Sequence, residues 1–252
     1  MRAKPRTSAH DHIQTLTDLK QRLQSLARPR HAELQLRFFK TGPGEYGEGD
    51  RFLGLDVPTQ RALAREFRHL PLDAAKVLLL SPWHEERLVA LLLMIGHYEK
   101  AAPKEREALT EFYLSHARYV NNWDLVDASA HLLAGPTFPA TRTKRLETLA
   151  RSGMLWERRI AVVATFHHIR QNQFEPTLRI SDILLHDTHD LIHKAVGWML
   201  REVGKRDLAV LEEFLKPRYA KMPRTMLRYA IERFPEKRRQ AYLKGKIGAL
   251  QP

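Results

Sequence analysis

Asp127 follows Trp123 by four residues, so on a helix an indole and a carboxylate share one face a single turn apart. A fixed carboxylate can stabilise positive charge as it develops on a reacting centre, or take a proton from an attacking water. The electron-rich face of an indole favours the same kind of charge. Arg159 adds a guanidinium able to hold an anion, or to orient a carboxylate through paired hydrogen bonds. Each residue also has a plainer reading. Tryptophan at a helical repeat position commonly belongs to the core, and Asp127 with Arg159 would make an ordinary ion pair between repeats. Spacing alone leaves both open.

The elements that carry these residues are helical. Apolar residues recur at three- and four-residue spacing in segments such as Leu72 to Leu80 and Arg87 to His97. Proline and glycine sit mostly between such segments, and Pro82 and Pro223 read as first-turn prolines. No alternating run suggests a strand, so the fold class is all-α. Similar segments start at Trp83, Trp123, Trp156, Leu191 and Pro223. Aligned, they place Arg87, Asp127, Arg159, Lys194 and Arg228 in one register, with separations of 40, 32, 35 and 34 residues. Such a period, built from helix pairs, predicts a HEAT-like solenoid, an α-α superhelix with a continuous shared core. The alternative is a helical bundle in which Trp and Arg recur by chance. In the solenoid the second helix of each pair lines a concave, basic cleft. Asp127 is then the one acid in a row of cations, and beside a polyanion it would cost affinity.

Charge points the same way. The 252 residues hold 42 Lys and Arg against 29 Asp and Glu, a formal charge of +13, and the sequence pI is about 10.1. A fold this basic attracts polyanions, since each cation that neutralises a phosphate releases a counterion. A merely basic soluble surface is the bland alternative, and an anionic membrane surface a weaker third. No apolar run approaches the ~20 residues of a membrane span, and the basic start of the chain lacks the apolar centre of a secretory signal. Without cysteine there is no disulfide framework. The expectation is a soluble, cytoplasmic protein associated with the nucleoid.

Several motifs together resemble the AlkD-type DNA glycosylases of the DNA alkylation repair family. They are Asn121-Asn-Trp123-Asp-Leu-Val-Asp127, Trp156-Glu-Arg-Arg159-Ile-Ala161, Ile192-His-Lys-Ala-Val-Gly-Trp198-Met-Leu-Arg-Glu202 and Arg51-Phe-Leu-Gly-Leu-Asp-Val-Pro58. The resemblance runs from about Leu34 to about Phe234. It implies HEAT-like repeats that cradle duplex DNA and excise cationic 3- and 7-alkylpurines, a base-excision hydrolase without metal or cofactor. By motif position it implies Trp123, Asp127 and Arg159 as catalytic residues and Trp198 as a second cleft tryptophan. Phe38 stands where a cleft tyrosine is expected. Lys194, Arg87, Arg158, Arg201 and Arg228 are the cations expected to face DNA. An alkylated purine is already cationic and leaves readily; the sugar then gains oxocarbenium character, which Asp127 and the face of Trp123 would stabilise.

Departures from the family pattern are specific. A glycine-rich stretch, Lys40 to Asp50, precedes the Phe-Leu-Gly loop. Its glycines would permit close approach of backbone to phosphate, or make a mobile surface loop, and Glu45 and Glu48 argue against a phosphate cradle. Phe38 removes a hydroxyl. His186, His189 and His193, like His167 and His168, form no convincing ligand set. The organisation expected is a monomer with a basic, flexible N-terminal tail (1–10), a single repeat domain (11–241) and a C-terminal tail (242–252). The competing functions are a non-catalytic or weakly catalytic module that binds bent or branched DNA, and a protein scaffold.

Overall fold

The computed structural model describes residues 9–247. Of the two expected tails, residues 1–8 and 248–252 lie outside the described residues. The chain divides after Ser129 into two compact units. The first holds α1 (Ala9–Ser25), α2 (Pro29–Phe38), α3 (Val57–Glu66), α4 (Leu72–Leu79), α5 (His84–Lys100), α6 (Pro103–Ser115) and the start of α7 (Trp123–Leu133). After α7 the second holds α8 (Lys144–Ala150), α9 (Leu155–Ala164), α10 (Phe166–Ile169), α11 (Glu175–Ile183) and α12 (Asp190–Gly204). It closes with α13 (Leu208–Leu215), α14 (Arg224–Ala230) and α15 (Glu236–Leu243). Among the described residues no strand forms; Arg51 and Trp83 make an isolated parallel bridge. The described residues are all-helical, as the helical periodicity predicts.

In the first unit α5 is the central element, packed against α1, α3, α4 and α6. It is buried on nearly every side, from His84 through Leu91 and again at Leu93, Met94 and Tyr98. A helix covered all round carries polar residues inward only where partners satisfy them. Glu85, fully buried, is satisfied by the Phe-Leu-Gly loop. Its carboxylate accepts the backbone amides of Leu53, Gly54 and Leu55 at 2.8–3.2 Å. Gly54 sits at φ +86°, and a Cβ there would lie 2.3 Å from the Arg28 carbonyl oxygen, so the loop requires glycine. Hydrogen bonds to an ionised acceptor are the stronger kind, and this set fixes the loop to α5.

Pro82 and Pro223 both precede their helices rather than opening them. Trp83 is extended (φ −88°, ψ 125°) because it pairs with Arg51, so α5 begins at His84. Pro223 is the cap of α14, with Arg224 the first helical residue.

In the second unit α12 buries Ile192, Ala195, Val196, Met199, Leu200 and Val203 along one helical face. It packs against α9, α13 and most extensively α14. The α12–α14 approach is close: a Cβ on Gly197 would lie 2.5 Å from the Met226 carbonyl oxygen and from the Tyr229 Cβ. At the C-terminal end α15 places Tyr242, 3% exposed, against the rings of Tyr219 and Phe234.

Candidate functional site

The start of α7 is held by a buried charged network within the first unit. Asn122 accepts the Trp123 amide at 2.9 Å. One residue on, Asp124 takes a hydrogen bond from His84 Nε2 at 2.8 Å, across to the first residue of α5. The other ring nitrogen of His84 faces Asp50, 3.4 Å away. Asp50 is completed by Arg87 and by Asn121, each donating to Oδ1 at 2.8 Å. Burial alone would push the His84 imidazole down. The Asp124 charge and hydrogen bond, with the Asp50 bond, outweigh that and raise it to about 9. Burial likewise pushes the Asp50 carboxyl up, but the His84 bond, the Arg87 charge and the Asn121 bond leave it lowered. Near pH 7 the centre of the network is therefore an imidazolium between carboxylates.

Aromatic rings enclose that cation. His84 lies 4.6 Å from the Phe52 ring and 5.0 Å from Phe39. Phe39 stacks on Phe52 at 5.1 Å and meets the Trp123 indole at 5.5 Å. Phe38, 65% exposed, stands edge-on to Trp123 at 5.9 Å. The structure thus brings Phe38 and Trp123 together, with the indole half-buried against a rigid aromatic wall. Asp127 is half-buried on the same helix, one turn after Trp123. Its charge is felt by the fully buried Tyr113 phenol. Burial raises that group and Asp127 raises it further against the opposing Ser129 bond, so it stays protonated and points at Ser129 Oγ, 3.0 Å away.

The glycine-rich stretch uses its own acids. Glu45 accepts the Gly42 amide and Glu48 the Gly44 amide, both at 2.9 Å, so those amides are not offered to phosphate. Asp50, at its end, reaches into the core. Arg87 departs from the expectation of a DNA-facing cation: it is 3% exposed, bound to Asp50 and to the Ser81 carbonyl. Alignment by repeat register could not show this, since the acid that draws it inward lies 37 residues away.

Within the second unit Arg159 is 4% exposed and donates to the Leu191 carbonyl at 2.5 Å, tying α9 to the start of α12. Arg158 is clasped by Asp187 at 2.7 Å and by the carbonyls of Ser152 and Gly153, which makes it a brace of the fold rather than an open cation. Arg201 is likewise paired, with Glu232. Lys194 pairs with Asp190 at 2.7 Å in an exposed i,i+4 contact, the kind worth little and easily exchanged. Arg228 is exposed and has no acidic partner among the described residues. Trp198 is half-buried, 6.1 Å from the Phe166 ring. His193 and His189 serve the local backbone, through the Asp187 carbonyl and the Leu191 amide. Among the described residues no group of three or more His, Cys, Asp or Glu could hold a metal. None of their helices is long and apolar enough to cross a membrane.

A family model described as DNA alkylation repair enzyme matches residues 19–234, most of the chain. The protein belongs to the DNA alkylation repair enzyme family. Among solved structures it is similar to a "Predicted DNA alkylation repair enzyme from Enterococcus faecalis", with a TM-score of 0.65 and 18% identity. That likeness covers 83% of this chain and 97% of the other, and at such identity it speaks for the fold alone. No curated protein sequence matches the chain.

In this DNA alkylation repair family member, sequence reasoning missed His84, Asp124 and Asp50. A signal was present: in the aligned segments His84 and Asp124 each follow the repeat tryptophan, so equivalent positions face one another. Their hydrogen bond joins residues 40 apart, beyond what local spacing reveals.

Proposed function

We propose that the protein is a monofunctional DNA glycosylase that hydrolyses the N-glycosidic bond of cationic 3- and 7-alkylpurines in duplex DNA. The observation that carries this reading is the start of α7. There Trp123 and Asp127 share a helical face, and the helix start is fixed by the buried His84–Asp124 pair. Family membership supplies the reaction class, alkylation repair. The C–N bond breaks with its electron pair leaving on the alkylated base, which departs neutral. Water adds to the sugar carbon, its proton passing to Asp127, and an abasic site remains. Half-burial suits Asp127 to this role, since a carboxylate partly shielded from water acts more strongly on a nearby cation. The indole of Trp123 offers its face to the same charge.

Arg159 is proposed as a third contributor on the strength of its motif. Phe38, Trp198, Lys194 and Arg228 are proposed as DNA-facing residues, on a single working domain in solution as a monomer. Arg87, buried and paired, and Arg158 and Arg201, half-buried and paired, are not proposed as phosphate contacts.

Incubating methylated duplex DNA with the protein and measuring freed 7-methylguanine and 3-methyladenine tests the reading. Release of either base with abasic sites left behind is the expected result. Tight binding of bent or branched DNA with no base released would favour the non-catalytic alternative.

A further inference from the structure

A cavity of about 410 Å³ opens between α3 and the C-terminal half of α5. Its floor is apolar, built from Ala64, Leu92 and Leu93, and its rim carries Arg61, Arg65, Arg68 and Lys100. No carboxylate lines it. All four cations are exposed, and none has an acidic partner among the described residues. His97, also at the rim, donates to the Leu70 carbonyl at 2.8 Å and is occupied. The cavity is separate from the Trp123 cluster. His84, which anchors that cluster, precedes Gly96 by twelve residues along α5, roughly 18 Å of helix.

A second groove, lined by residues of α11 and α13, makes a useful contrast. Its Arg179 is paired with Glu147 and Glu175, and its Arg218 with Asp182. The cations there are spent within the fold, whereas those of the α3–α5 cavity are not. Four open cations around an apolar floor complement a ligand with phosphates and a flat apolar body. A duplex offers phosphates but keeps its bases stacked inside, so the floor would gain nothing from it. A single strand offers both. Arg61 and Arg65 stand one turn apart on α3, a rise of roughly 6 Å, and Arg68 follows in the turn just past its C-terminal end, a row that suits consecutive phosphates better than one isolated group.

We propose that this cavity binds a single-stranded segment of nucleic acid, its phosphates on the arginine row and one unstacked base on the leucine floor. The inference stands whether or not the protein excises bases. Gly96 provides a steric test, because a Cβ built there meets nothing within 4 Å and a larger side chain projects into open space. A fluorescently labelled single-stranded heptanucleotide is titrated by anisotropy against wild type, Arg61→Ala/Arg65→Ala and Gly96→Phe. Melting temperatures serve to confirm folding.

Both variants are expected to bind the strand at least tenfold more weakly. The double variant should also flatten the salt dependence, by about 1.4 in log–log slope for two lost cations on a single strand. Full affinity in Gly96→Phe with loss in the arginine variant would overturn the seated base and leave bare charge attraction. Equally tight binding of a free mononucleotide, or an equal loss of duplex binding in both variants, would overturn the single-strand assignment. Should Gly96→Phe not fold, Gly96→Leu makes the same test.

Discussion

Asp124 and Asp127 lie one turn apart on α7, and their neighbours give them different roles. Asp124 meets a buried imidazolium, while Asp127 is half-buried one turn after Trp123 and its charge helps to raise the protonated Tyr113 phenol. His84 is the residue that enforces the first role. Its ordinary value of 6.5 rises to about 9 in the fold, so its contribution to stability is complete below pH 6.5 and is lost as pH climbs through 9. The difference corresponds to about 3 kcal/mol. Unfolding free energy measured by denaturant titration should therefore fall between pH 6.5 and 9.5. A flat profile would contradict a charged His84. On the acid side Asp50 is lowered, so its contribution is lost as pH drops below 3.8 and through its folded value. His84→Ala leaves Asp50 and Asp124 facing one another's vacancy in the core and should cost about 3–5 kcal/mol, while removing the alkaline loss.

Helices carry these residues, and helix existence was the most legible feature of the chain. The apolar rhythm of Leu72 to Leu80 is α4, and that of Arg87 to His97 lies inside α5. The starts were harder to read. Pro82 lies two residues before α5 because Trp83 is drawn into extended pairing by Arg51, a long-range contact that no cap signal announces. Gly197 shows an element-scale constraint. Its missing side chain lets the α14 backbone approach α12, and the obstructing atoms are backbone and Cβ, which cannot swing aside. Gly197→Ala should therefore destabilise the protein by about 1–3 kcal/mol, despite the better helix propensity of alanine. A melting temperature equal to wild type or higher would show that α12 and α14 have room to spare.

At the scale of the molecule, a formal charge of +13 leads to polyanion binding, but structure decides which cations are available. Register placed Arg87 and Arg228 in one class; burial separates them. Arg228→Ala should leave stability nearly unchanged and lower the log–log salt slope of duplex binding by about 0.9. Arg87→Ala, which strands Asp50 in the core, should cost about 3–5 kcal/mol of stability and leave that slope alone. The reverse pattern in DNA titrations and melting curves would return Arg87 to the binding surface. That Trp123 and Asp127 lie one turn apart on one helix was legible because their spacing is local. The network behind them was not, because Asp50, His84 and Asp124 come together only through tertiary folding.

The central claim is that the Asp127 carboxylate acts in bond cleavage rather than in holding DNA. Single-turnover release of 7-methylguanine from a methylated duplex, compared between wild type and Asp127→Asn at saturating protein, measures that directly. Loss of one preorganised group of this kind costs about 2.7–4 kcal/mol, so excision should slow by about two to three decades while DNA affinity is kept or improved. Rates within about threefold of one another, on that same scale in which tenfold is about 1.4 kcal/mol, would contradict the account.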